Sequence, residues 1–129
     1  MNDIGEAGKV FSLNEARAVL PLVVRITDRH RAELEPFQAR LNRMLSNDPR
    51  RAQVEQLYEQ VVERWKGKIE RLGATASGLW VVDFDVGDGF LSWRYPELSI
   101  AHHKGYDAPF SGRVKLRDYI DTFDPDWAV

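Results

Sequence analysis

The stretch Gly78 to Tyr95, GLWVVDFDVGDGFLSWRY, constrains the fold most, because its two faces and its turn can be read from the letters. A three-residue turn at Gly87 to Gly89 would set Phe84 against Ser92 and Asp85 against Leu91, mixing polar and apolar groups on both faces. A two-residue Asp88-Gly89 turn of type I′ instead pairs Val86 with Leu91, Phe84 with Trp93 and Val82 with Tyr95. One face is then wholly apolar. The other pairs Asp83 with Arg94 and Asp85 with Ser92, so that the guanidinium of the second strand lands opposite a carboxylate.

A third strand is expected after a turn at Pro96-Glu97, since LSIAHH alternates apolar and polar positions. Pairing Tyr95 with Leu98 sets Ile100 opposite Trp93. The same alternation carries His102 onto the apolar face and puts Ser99 and His103 on the polar face with Asp83, Asp85 and Arg94. The adjacent histidines thus point opposite ways.

Two long helices precede the sheet. Ser12-Leu13-Asn14-Glu15 is a capping box, with Phe11 placed to staple against Ala16. From it Leu13, Ala16, Leu20, Val23, Thr27, His30, Leu34, Phe37, Leu41 and Met44 recur at spacings of three and four. Pro21 and Pro36 fall inside this seam, and each removes a backbone donor and crowds the preceding turn, so a bend or break is expected there. Asp48-Pro49 reads as the start of the second helix, whose inward stripe is Val54, Leu57, Tyr58, Val61, Trp65, Ile69 and Leu72 and whose stop is Gly73. The short Ser46-Asn47 link makes the pair an antiparallel hairpin. Val19, Leu22, Val24 and Ile26 lie off the seam and widen the apolar surface beyond what one partner helix covers. Either the sheet or a second copy of the chain must hide it, and a homodimer is expected.

The fold class is therefore α+β. Within a single domain spanning 1–129, an N-terminal antiparallel helical hairpin (12–73) packs on a three-stranded antiparallel β-meander (78–103). An irregular tail (104–129) then wraps the sheet, with a short helix at Leu116 to Asp121 and a core contact at Phe110. The chain has 129 residues, 43% hydrophobic and 29% charged, which suits one domain with a modest core. Formal charge is −2. Divided after Thr75, it is 13 basic minus 11 acidic, or +2, and then 5 minus 9, or −4, which is no electrostatic footprint for nucleic acid. With no cysteine, disulfides, thiolate metal sites and cysteine nucleophiles are excluded together. The polar, acidic start MNDIGEAGKV is unlike a signal peptide, and the longest apolar run, Ala18 to Val24, is far shorter than the roughly 20 residues that span a bilayer. A cytoplasmic protein without a membrane partner is expected.

Chemistry-bearing residues are few. His102-His103 is the sole histidine pair, and imidazole is both a common metal ligand and the side chain that titrates near neutrality. Neighbours on a strand do not readily chelate one ion, so a divalent metal would need His103 with Asp83 or Asp85, or helical groups reaching His102. His30, one turn from Thr27, is a polar notch in the seam, best read as a buried, hydrogen-bonded residue that sets helix register rather than as a ligand. Asp83, Asp85 and Arg94 form a polar patch in which an Asp83–Arg94 pair keeps the carboxylate ionised and structural. Arg113 could present a guanidinium to a phosphate or carboxylate, or bridge the tail to Asp107. No nucleotide, flavin, haem, nucleophile-elbow or zinc-protease motif is present.

The segments FSLNEARAVLPLV, GLWVVDFD followed by LSWRYPE, and the later SGR resemble the uncharacterised bacterial family called domain of unknown function 2203. The resemblance falls on Phe11, Leu13, Glu15, Ala16, Leu20, Pro21, Gly78, Leu79, Asp83, Phe84, Trp93, Arg94, Glu97, Phe110, Gly112 and Arg113. Where the family carries Trp-His this chain has His103-Lys104, its Gly before Glu is Pro96, and its Cys before Trp is Ser92. The resemblance implies a fold and a region of interest, and no activity. Two functions follow from the residues. One is a small homodimeric binding or interaction protein without catalysis. The other is a metal-dependent or small-molecule-processing enzyme whose site lies on the polar sheet face, where Asp83, Asp85, Arg94, Glu97, His103 and Arg113 would converge.

Overall fold

The computed structural model describes residues 9–129, and in it the first helix, α1, runs Leu13–Arg43. Its start is the capping box: the Ser12 hydroxyl accepts from the Glu15 amide at 3.1 Å, and Glu15 accepts from the Ser12 amide at 2.9 Å. Phe11, just ahead, is buried with its ring edge-on to Phe84 at 5.3 Å, and its amide donates to the Asp85 carbonyl. The expected polar start, MNDIGEAGKV, lies outside the described residues except for Lys9 and Val10. Of the bend or break expected at Pro21 and Pro36, a break does not occur: α1 runs through both. Leu13, Ala16, Leu20, Val23, Thr27, His30 and Leu34 are buried as the seam requires. Phe37, Leu41 and Met44, beyond the reach of the sheet, are only half-buried.

The second helix, α2, spans Arg51–Arg71, two residues later than the start expected at Asp48-Pro49. Asp48 is occupied in the turn instead, where its carboxylate accepts from the Arg50 amide at 2.8 Å and from the Arg50 guanidinium. Val54, Val61, Trp65 and Ile69 form its buried stripe, and Gly73 ends it with φ +90°. The polar notch in the seam has a partner here. The buried Trp65 indole donates to the Thr27 hydroxyl at 2.9 Å, which satisfies both groups where no water reaches.

A five-stranded antiparallel sheet follows, ordered β1 (Thr75–Gly78), β2 (Val81–Asp85), β3 (Phe90–Arg94), β4 (His102–Lys104) and β5 (Val114–Lys115). It has two short edge strands more than the predicted meander. β1 is added because Leu79 and Trp80 turn the chain back on itself, with Trp80 at φ 60°, so Gly78 ends β1 rather than opening the hairpin.

The hairpin register differs from the prediction by two residues. Val82 pairs with Trp93, Asp83 with Ser92, Phe84 with Leu91 and Asp85 with Phe90. The turn is Gly87-Asp88, closed by the Val86 amide on the Gly89 carbonyl, with Gly87 at φ +99° and its amide capped by Asp85. Because side chains alternate with period two, a slip of two preserves the faces. Val82, Phe84, Val86, Leu91 and Trp93 are buried in the core with Phe11, Leu20, Val23, Trp65 and Ile69, so this face is the floor for the helices as expected.

β4 is displaced by an odd step, and its faces exchange. Leu91 stands opposite His103 and Ser92 opposite His102, so His103 lies on the core face and His102 on the polar one, the reverse of the prediction. The cause is the segment 95–101. The Trp93 indole donates to the Glu97 carbonyl at 2.8 Å and the Arg94 amide to the Glu97 carboxylate at 2.9 Å, which curls the chain away from β3 before a ladder can form. Leu98, predicted on the apolar face, is 97% exposed, while Ile100 returns to the core.

The tail divides between the two faces. Residues 105–113 cross the polar face, while α3 (Leu116–Phe123) and a final turn at Asp126–Ala128 pack on the core side, where Leu116 and Trp127 are buried. Phe110 is therefore not the core contact predicted for it. Among the described residues, no helix is long and apolar enough to cross a membrane.

Candidate functional site

The polar face is built on a row of directly opposed residues: Thr75 on β1, Asp83 on β2, Ser92 on β3, His102 on β4 and Lys115 on β5. Asp83 does not meet Arg94, since the register sets Arg94 against Val81. Its partner is Lys104, diagonally across the sheet, at 2.8 Å, with both side chains more than nine-tenths buried. Two charges withdrawn from water together are tolerated only when so paired.

A second cluster borders the row. Arg113 grips Glu97 with both terminal nitrogens, at 3.1 and 2.9 Å, in the fork geometry that suits a carboxylate. This replaces the predicted bridge to Asp107. Phe110 is flanked by two guanidiniums, Arg113 at 4.1 Å and Arg94 at 5.3 Å from its ring centroid. Burial raises the Glu97 carboxyl, but the Arg113 guanidinium, the Arg94 amide and the charges of Arg113 and His102 outweigh it and hold the group below its ordinary value. Asp85 accepts from the Tyr106 hydroxyl at 2.7 Å, and the Tyr106 ring stands edge-on to Phe90. The tail thus covers the polar face.

Most groups here are spent on one another. The exceptions are Asp83 Oδ1, Ser92 Oγ and His102 Nδ1, three buried atoms on adjacent strands with no protein partner. His102 is held below its ordinary pKa by burial first, then by the charges of Arg113 and Lys115, against an opposing pull from Glu97. The ring is therefore harder to protonate than a free imidazole.

His103 stands apart on the core face, 2% exposed. Its Nε2 lies 3.1 Å from Asp88 Oδ1, an oxygen that also accepts from the Trp127 indole at 3.0 Å, and Asp88 Oδ2 accepts from the Tyr119 hydroxyl at 3.0 Å. Tyr119 stacks on His103 with centroids 3.6 Å apart. Burial raises the Asp88 carboxyl, and the three donors together more than reverse it, leaving the group below its ordinary range. Gly89 permits this approach, because a Cβ there would lie 2.7 Å from His103 Cε1 and 2.6 Å from the Lys104 carbonyl.

Of the predicted site residues, then, Asp83, Asp85, Arg94, Glu97 and Arg113 share one face, and His103 does not join them. As candidate metal ligands, His102 and His103 lie on opposite sides of the sheet, and among the described residues no group of three or more histidines and carboxylates is gathered as a metal site. Lys104, Ser92, Asp88, Tyr106, Tyr119 and Trp127 were missed. Lys104 alternates with His102 and would have been found had Leu98 been placed in the turn; Tyr119 and Trp127 carried no local signal.

Outside the sheet, a groove of about 570 Å³ runs between α1 and the segment after β3, lined by Leu20, Pro21, Val24, Arg25, Asp28, Tyr95 and Leu98. The Tyr95 hydroxyl donates to Asp28 at 2.8 Å and forms one wall.

These features define an α+β protein in which a helical hairpin covers one face of an antiparallel sheet and the chain's own tail covers the middle of the other. The chain belongs to the family described as Uncharacterized conserved protein (DUF2203), whose sequence profile matches residues 9–116. No curated protein and no solved structure matches it significantly. Within the match, the Arg94, Glu97, Phe110 and Arg113 of the resemblance form one clamp. Tyr119 and Trp127, which hold Asp88, lie beyond it.

Proposed function

We propose that the chain is a small, cytoplasmic, homodimeric interaction protein without catalytic activity, whose partner is neither nucleic acid nor membrane. The observation that carries this reading is the groove beside Leu98, an apolar side chain 97% exposed at its rim. A second copy is the occupant the charges favour. Arg25 and Asp28, of opposite sign and three residues apart on α1, border the groove. Arg25 has no ion-pair partner among the described residues, and the Asp28 side chain, although it meets Arg31 at 3.5 Å and the Tyr95 hydroxyl at 2.8 Å through Oδ1, is still 57% exposed. A two-fold axis across α1 sets Arg25 of each copy against Asp28 of the other, with each Leu98 entering the facing groove. Such a dimer needs about 1,200 Å² or more of buried surface, so the outer face of α1 must take part. Light scattering on a sizing column tests it: wild type elutes as a dimer and Leu98→Asp as a folded monomer. A monomeric wild type at about 100 μM refutes the reading.

The alternative, a metal-dependent or small-molecule-processing enzyme on the polar face, draws support from the three unpartnered atoms of Asp83, Ser92 and His102. It requires the 105–113 segment to lift. Elemental analysis of wild type and His102→Ala separates the two: bound metal lost with that change favours the enzyme.

A further inference from the structure

A pocket of about 110 Å³ lies where α1 crosses α2, lined by Leu22, Arg25, Ile26, Arg29, His30 and Lys68. Three of the six are cations. None of Arg25, Arg29 and Lys68 has an ion-pair partner among the described residues, whereas Arg31, Arg51, Arg64 and Lys66 of the same helices are paired with Asp28, Glu55, Glu33 and Glu63 and several other arginines are not; what sets these three apart is that they line one pocket. Arg25 and Arg29 are four residues apart, so they stand on one face of α1, and Lys68 faces them from the neighbouring helix. Like charges brought together without a counter-ion repel, and an anion between them converts the repulsion into attraction.

His30 supplies the second observation. It is 1% exposed, and its Nδ1 is committed to the Ile26 carbonyl at 2.7 Å, so the Nε2 edge, which has no protein partner, is what it offers the pocket. That nitrogen can donate to, or accept from, whatever enters the pocket. Glu33 is the carboxylate close enough to feel both His30 and Lys68, and it is neutralised by two contacts with Arg64, at 3.1 and 2.6 Å.

We propose that this pocket binds the phosphoryl group of inorganic phosphate or of a small phosphate ester. A water occupies about 30 Å³ of liquid, so the pocket holds the equivalent of three to four waters, the scale of one tetrahedral oxyanion. Arg25 and Arg29 present forked donors and Lys68 a point charge, the combination that recognises phosphate, and Leu22 and Ile26 form an apolar floor. Arg25 also borders the groove assigned to dimerisation, whereas Arg29, His30 and Lys68 do not, so the phosphate site stands or falls separately.

The test is a titration of the full chain at constant ionic strength with inorganic phosphate, glycerol 3-phosphate and acetate, followed through the NMR signals of the His30 ring and its helix. Saturable shifts are expected with one or both phosphate compounds, and which of them binds tighter identifies free or esterified phosphate as the ligand. Lys68→Ala and Arg29→Ala should each weaken binding about tenfold, the effect of losing one charge-assisted hydrogen bond, without altering the dimer. The proposal is overturned if neither phosphate compound saturates, if acetate binds as tightly, or if both variants bind like wild type.

Discussion

Replacing Lys104 by methionine tests whether the polar face is closed. The substitution keeps the length of the side chain and removes the ammonium that lies 2.8 Å from Asp83, leaving a carboxylate that is 2% exposed and already has one oxygen without a partner. Removing one member of a buried ion pair costs about 3–5 kcal/mol, because the remaining charge keeps its desolvation penalty and loses its compensation. For a domain of this size about 4 kcal/mol lowers Tm by roughly 15 °C and is a large fraction of a total stability of about 5–15 kcal/mol. The companion variant, Asp83→Leu with Lys104→Met, removes both charges and should return to within about 1.5 kcal/mol of wild type. Urea unfolding monitored by circular dichroism measures all four corners of the cycle. A Lys104→Met cost below about 1 kcal/mol would mean that water reaches Asp83 and that the tail does not cover the centre of this face.

Three further outcomes follow from the geometry. Gly89→Ala should cost roughly 3 kcal/mol or more in the same assay, from a Cβ 2.6 Å from the Lys104 carbonyl at a backbone angle suited to glycine; a neutral result would show that the Asp88–His103 contact is not tight. Thr27→Val, nearly isosteric, strands the buried Trp65 indole and should cost about 1–3 kcal/mol, which thermal unfolding would detect; unchanged stability would place water at the indole. Stability should be lost on acidification in two stages. The unfolded chain binds a proton at His102 below about pH 6.5 that the folded ring resists. Asp88 and Glu97, depressed in the folded state, then stabilise fully above their ordinary values of 3.8 and 4.5 and lose that contribution as pH falls through their lowered ones. Glu97→Gln should flatten the lower stage, and an unaltered acid limb would contradict its pairing with Arg113.

The helices were legible because their burial is periodic and their signals local: Ser12 and Glu15 lie within one turn, and Leu13 through Leu34 repeat at helical spacing. The faces of the Val82 and Trp93 strands were equally legible, since the error in register was even. What could not be read depends on contacts between distant segments. Asp88 and Gly89 suit a type I′ turn on local grounds, yet Asp88 is drawn into the tail by His103, Tyr119 and Trp127, and Gly87 takes its place at the corner. The loop after Tyr95 looked like a strand by alternation, and only the pull of Trp93, Arg94 and Arg113 on Glu97 bends it out of the ladder. That single odd step moved His103 off the candidate site and hid Lys104 from view.

The strand order has a kinetic consequence. Every strand pairs only with its neighbours in sequence, and the helices form a hairpin, so each ladder closes across a short connection and none waits for a crossover. Chains dominated by such near-neighbour pairings meet small entropic barriers and fold quickly for their size. The elements can assemble in the order in which they leave the ribosome, each docking on one already formed. The contact of Trp127 with Asp88, 39 residues back along the chain, ties the turn after α3 to the corner between β2 and β3, a link that spans the elements between them.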